Sequence, residues 1–183
     1  MAKQQDPAWA NKKLQKSYMT PIGTFAFPRL TSRDQFNKYS VSLILDPSDP
    51  ETVEMLSGMN EQLEKAGKVF EMVEGKELPP TNPLFKPHKD RDGNETGQIQ
   101  MAFSKKSQKF RFVDASGRNE IPIAVVQNMP LFGATARIAT YVKPYYTPPN
   151  GPGSKGAFGL SKYLQAIQII QVLVSVFKDL FFP

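Results

Sequence analysis

Cysteine is absent from the 183 residues, and histidine occurs once, as His88. The first absence excludes disulfides, thiolate nucleophiles and cysteine-ligated metal centres. The second leaves no imidazole pair for a familiar zinc site and no neighbours for a His-based triad, so His88 reads as a solvated loop residue. No GxxxxGK[ST] or GxGxxG phosphate loop occurs. The run Asp90-Arg91-Asp92-Gly93-Asn94-Glu95 resembles the start of a calcium loop, but Gly93 comes too early for that register, and an ordinary turn is expected. These gaps predict a protein without catalytic activity, metal or cofactor. Long hydrophobic runs are missing as well. The most apolar stretch, 166–176, holds two glutamines and a serine and falls short of the about 20 residues that span a bilayer. The polar, basic opening MAKQQDPAWANKKLQK predicts no secretory signal. A single soluble domain in a reducing cytoplasm is the expectation.

What is present is unevenly charged. The net charge is +6, but residues 46–77 carry nine acids against three lysines, leaving 20 basic and 8 acidic residues elsewhere. One acidic element on a basic remainder makes a polarised field, and a polyanion docks on the basic side.

Periodicity supplies the elements. Residues 1–16 form a basic arm with Lys3, Lys12, Lys13 and Lys16. Phe25 and Phe27 alternate with Thr24 and Ala26 until Pro28 stops the strand, and a polar loop over 29–37 follows. Over 38–45, Tyr39, Val41, Leu43 and Leu45 take one face and Ser40 and Ser42 the other, as a half-buried strand requires. Ser48 and Glu51 have capping-box spacing, and Asp49 before Pro50 is an equally good cap. Leu56, Met59, Leu63, Ala66 and Phe70 then recur at three and four, predicting a helix over 50–68 with its apolar stripe toward the core. Residues 71–97 read as one long proline-rich loop. Strands follow over 98–103 and 109–113, the latter ended by the Asp114-Ala-Ser-Gly117 turn. Beyond the apolar segment 121–126, long strands cover 133–146 and 158–174, joined by a flexible connection over 147–156.

The strand over 133–146 separates into two faces. Ala134, Ala136, Ile138, Thr140 and Val142 are small or apolar, as a barrel interior requires. Arg137, Tyr141, Lys143 and Tyr145 interleave cations with phenol rings on the other. Cations neutralise phosphates, and exposed rings stack on bases of any identity at about 1–3 kcal/mol per base. Lys109 and Arg111 alternate with Phe110 and Phe112, Lys105 and Lys106 precede them, and Tyr163 shares a face with Ser161 and Gln165; Lys155 lies nearby in the glycine-rich connection. The structural alternative is a barrel rim of packed tyrosines with lysines snorkelling around them. The only helix expected, over 50–68, is acidic, which disfavours duplex readout through the major groove.

Three ordered stretches carry a resemblance: GTFAFPRL with KYSVSLILDPSDPE, FRFVDASGR with the strand ending ATYVKPYY, and AFGLSKYLQAIQIIQVL. Together they span most of 18–174, and the chain resembles the single-stranded DNA-binding proteins of bacteriophages, the OB-fold type of T-odd short-tailed phages and their relatives. The resemblance implies a mainly β, five-stranded OB barrel over 17–176 with one amphipathic helix. It implies sequence-independent binding of single-stranded DNA during phage replication and recombination, in the cytoplasm of the infected host. It places a base-stacking ring at Tyr145. A second family aromatic falls on Thr147, so Tyr146 or Tyr141 is expected to substitute, while Tyr163 and Gln165 occupy positions that are basic in the family. Family members end in an acidic tail that recruits replication proteins. Here VSVFKDLFFP holds one acid, Asp179, and Phe177, Leu180, Phe181 and Phe182 in the 177–183 tail are candidates for an apolar contact with a second protomer or a host protein. A phage structural or assembly protein with a basic β-rich surface, and an RNA-binding OB module, are the competing readings.

Overall fold

Alternation of buried and half-buried side chains along residues 135–145 sets one wall of the architecture. The computed structural model describes residues 12–173. In chain order these form a 3-10 turn (Lys12–Leu14), β1 (Lys16–Met19), β2 (Gly23–Arg29), β3 (Tyr39–Leu45), α1 (Pro50–Glu74), β4 (Lys86–Lys89), β5 (Glu95–Lys105), β6 (Arg111–Val113), β7 (Glu120–Ile121), the one-turn α2 (Ile123–Val126), β8 (Thr135–Thr147) and β9 (Ala157–Gln171). Antiparallel pairs join β8 to β2, β2 to β3, β3 to β5 and β8 to β9, and β5 meets β9 in parallel. The ring β2-β3-β5-β9-β8 therefore closes into a five-stranded barrel, the OB arrangement expected from the sequence. Strand β1 flanks β8 outside the ring, β4 lies along β5, and β6 and β7 continue from β9.

The interior follows the two-residue period. Ala134, just before β8, and Ala136, Ile138 and Val142 of β8 are fully buried in one cluster with Leu164 and Ile167 of β9 and with Val41, Leu43, Met101 and Phe103. Burial of this apolar surface is the main term holding the ring shut. Gly23 is required where β2 crosses β3, because a Cβ there would stand 2.6 Å from the Ile44 carbonyl oxygen.

Helix α1 begins as its sequence dictates. The Asp49 carboxylate accepts from the Glu51 N–H at 2.8 Å, with Pro50 in the first turn, whereas Ser48 is bound by Asp46. Met55 and Met59 enter the barrel core, and Ala66 and Phe70 build a second cluster with Phe158. The helix outruns the expected end at 68 and stops at Gly75, whose φ of 61° suits glycine. Phe70, packed on Phe158 and Tyr146, gives those extra turns a buried face.

Three further segments differ from the sequence reading. Residues 71–97 are not one loop: after α1, β4 and β5 form a hairpin whose turn is held by Asp90, which accepts from the Asp92 and Asn94 N–H groups at 2.9 Å. His88 is consequently a strand residue, 3.5 Å from the Gln100 side chain, rather than a solvated loop residue. Phe27 does not join Phe25 in the core, because β2 bulges between Ala26 and Arg29 and turns that ring outward. At the ends, Lys12 and Lys13 belong to the 3-10 turn and Lys16 opens β1. Residues 1–11 and the tail at 177–183 lie outside the described residues. Among the described residues, no helix is long and apolar enough to cross a membrane.

Gln62 ties helix to barrel. Its Nε2 donates to the Leu14 carbonyl at 2.8 Å and the Val142 carbonyl at 3.0 Å, and its Oε1 accepts from the Tyr18 hydroxyl at 3.0 Å. Burial, with the nearby Glu61 charge, pushes the Tyr18 hydroxyl up to about 12, so it stays a donor. Gln62→Ala strands these partners and is expected to cost about 1–3 kcal/mol, read as a lower urea midpoint at unchanged slope; an unchanged midpoint would show that the tie carries no stability.

Candidate nucleic-acid interface

Cross-strand register, rather than any motif, assembles the site. Outward positions on successive strands line up as Arg29 opposite Ser40, Ser40 opposite Ser104, Ser104 opposite Tyr163, Tyr163 opposite Tyr141, and Tyr141 opposite Ser17. This row crosses β2, β3, β5, β9, β8 and β1 in order, and each of its side chains is exposed or half-buried. At about 4.8 Å per strand step the row runs roughly 24 Å over the barrel surface. It offers two phenol rings, three hydroxyls and a guanidinium.

A groove of about 590 Å³ opens beside the middle of the row, over the parallel join of β5 and β9. Lys38, Lys105, Lys106 and Lys162 line it together with Ser104 and Tyr163, and no carboxylate does. Lys105 also donates to the Lys109 carbonyl at 2.8 Å, which fixes its stem across the turn. Lys162 lies between Leu160 and Leu164 in the sequence of β9 and is half-buried; burial alone pushes its ammonium down to about 8. An uncompensated cation in a cationic groove is poised for an anion.

The residues singled out from sequence are placed unequally. Tyr141, Tyr163, Lys105 and Lys106 meet at the row and its groove. Lys143 follows on the same face of β8, opposite Ser161. Tyr145 lies one step further, its ring so close to Gly159 that a Cβ there would stand 2.9 Å from it, and its hydroxyl accepts from the Asn82 amide. Arg111 is exposed on β6 beside Ala166, and Lys109 is exposed just before it. Lys155 is exposed in the β8–β9 connection, beyond Tyr145.

Two of the expected contacts are otherwise engaged. Arg137 leaves the face to pair with Glu51 at the start of α1, 3.1 Å from Nη2 to Oε2. Tyr146 packs on Phe70 in the second cluster, its centroid 4.8 Å away, because the strand alternation breaks at the barrel rim. Ser17, Arg29, Lys38, Ser40, Ser104 and Lys162 were missed from sequence. Only Lys162 carried a local hint, as a cation between Ser161 and Tyr163, and its inward parity argued against it. Among the described residues, no three His, Cys, Asp or Glu side chains cluster to hold a metal ion.

Solved structures share this fold. The chain is similar to gp2.5, a single-stranded DNA-binding protein encoded by bacteriophage T7, with a TM-score of 0.61 over 87% of this chain and 88% of that one at 15% identity. It is also similar to the single-stranded DNA-binding protein of bacteriophage Enc34, as a C-terminal truncation (TM-score 0.60, 11% identity, 89% of each chain) and in complex with ssDNA (TM-score 0.57, 11% identity, 89% of each chain). At such identities the likeness is one of fold. No protein-family model and no curated protein matches the chain.

The state of Lys162 sets a pH dependence. With the folded value near 8 and an ordinary value of 10.5 in the unfolded chain, the unfolded state binds more protons between those limits. Stability therefore rises as pH rises from 8 toward 10.5, and the full burial penalty persists below 8. Lys162→Met is expected to raise the urea midpoint at pH 7 and to flatten the rise above pH 8. A variant less stable than the parent at pH 7 would contradict the assignment.

Proposed function

We propose that the protein binds single-stranded DNA without sequence preference, coating and protecting it during phage replication and recombination in the host cytoplasm. The observation that carries this reading is the Arg29–Ser40–Ser104–Tyr163–Tyr141–Ser17 row with the lysine groove beside it. Rings accept the flat face of any base, and flexible ammonium groups neutralise phosphates as point charges. Arg29 is the one side chain of the row with bidentate base-reading geometry; the rings and serine hydroxyls discriminate little between bases. Its length suits roughly four nucleotides, the lower end for one OB domain. The bacteriophage neighbours, one of them in complex with ssDNA, support the same reading.

Tyr141 and Tyr163 stack on adjacent bases, while Lys38, Lys105, Lys106 and Lys162 hold the phosphates between them. Lys143 and Tyr145 extend the path along β8, and Arg111 and Lys109 approach it from β6. Lys155 attracts the strand from the connection beyond. Replication proteins and a second protomer remain candidate partners of the 177–183 tail.

Quenching of tyrosine fluorescence by oligo-dT is expected, with affinity falling steeply in salt. Neutralising three to five phosphates gives a slope of about −2 to −4 in log K against log salt. Tyr163→Ala is expected to weaken oligo-dT binding by about 5- to 100-fold. Arg137→Ala is expected to leave binding nearly unchanged, because Glu51 already holds that guanidinium. Duplex DNA and oligo-U serve as competitors. Preference for the duplex would sink the proposal, and preference for oligo-U would move it to RNA.

A further inference from the structure

Among the described residues two that are not glycine hold a positive φ: Phe27 (50°), which lines a surface groove, and Asn37 (59°), which follows Phe36 of the same groove. Asparagine tolerates that conformation; a phenylalanine there is strained. Such strain persists only where the surroundings over-determine it. The effect at Phe27 is to leave 70% of the residue in solvent, immediately after the buried Phe25 and Ala26. Phe36 is also 70% exposed, on the loop that returns to β3. Between them lies a groove of about 500 Å³, lined also by Arg29, Arg33, Asp34 and Ser40.

The loop is built rather than loose. Asp34 accepts from the Phe36 N–H at 2.9 Å, from the Lys38 N–H at 3.0 Å and from the Ser40 hydroxyl at 2.7 Å. The Ser40 bond, ahead of the backbone donors, holds its carboxyl below the usual range, so the one acid in the groove is spent inside the loop. Arg33 donates to the Asn37 side chain at 2.7 Å and lies 5.8 Å over the Tyr39 ring. Leu30, fully buried, anchors the start of the loop, and its carbonyl accepts from Gln108.

This groove is continuous with the row already described. Ser40 lines both it and the lysine groove, and Arg29 ends the row. We infer that Phe27 and Phe36 form a second base-stacking station for single-stranded nucleic acid, with Arg29 and Arg33 receiving the flanking phosphates as the strand leaves the barrel over β2. The inference rests on reading the row as a single-stranded nucleic-acid site, and it lengthens that site past β2. Rings paired with two cations fit a stacked polyanion better than an apolar protein segment, which has no use for the arginines.

Phe27→Gly separates structure from binding. Glycine adopts a positive φ without strain, so this variant is expected to melt at or above the parent temperature. Binding of dT12 is expected to weaken about tenfold, while dT4, short enough to lie on the row alone, binds as before. Phe36→Ala, at a loop position free of that strain, is expected to show the same length-dependent loss. Unchanged dT12 affinity in both variants, with Tyr163→Ala still weakened, would overturn the inference and leave the row intact. If the parent chain binds neither oligomer, the functional reading itself fails and this inference with it. A change in sedimentation mass at unchanged affinity would overturn the inference and assign the rings to a second copy of the chain.

Discussion

Closure of the barrel at the β5–β9 join is the constraint on which the rest depends. Strands β8 and β9 pair along nearly their whole length, and β2 and β3 continue the sheet around. The ring closes only where β9 runs parallel to β5, with Ser104 opposite Tyr163. A parallel contact of so few residues is weak as a ladder. It is held by what it encloses, since Met101, Phe103, Leu164 and Ile167 are buried behind it. The sparse join also leaves the surface open above it, and there the four lysines converge.

The charges are arranged to suit that opening. Carboxylates concentrate on α1, and none lines the lysine groove. Glu51 at the first turn of α1 takes up Arg137, a cation that strand alternation alone would have aimed outward with Tyr141 and Tyr163. The helix thus contributes to the interface twice, by closing one side of the core through Met55 and Met59 and by withdrawing one cation from the face. Lys162 illustrates the opposite economy. It sits between two buried leucines in β9, and no carboxylate lines its groove to offset its burial.

A single irregularity in an otherwise regular strand shapes the β2 end of the row. The bulge in β2 breaks the two-residue period for one step, turns Phe27 out and realigns Arg29 with Ser40. Without it, Phe27 would follow Phe25 inward and Arg29 would leave the row. One inserted residue therefore sets both an exposed ring and the end of the cationic path.

Local chemistry was legible in the chain itself. The Asp49–Pro50 helix start, the apolar stripe through Met59 and Phe70, and the alternation along β3, β8 and β9 follow from capping and side-chain period, which act over a few residues. Tertiary structure decided what lies beside what. Ser17, Ser40, Ser104 and Arg29 are unremarkable in sequence and become one row only because residues 11 to 124 positions apart come into register. The same long-range packing claims Arg137 for Glu51 and Tyr146 for Phe70, and exposes Phe27. Periodicity tells which side of its own strand a residue takes; the neighbour across the sheet is set by chain closure and by bulges, whose energies belong to the whole barrel.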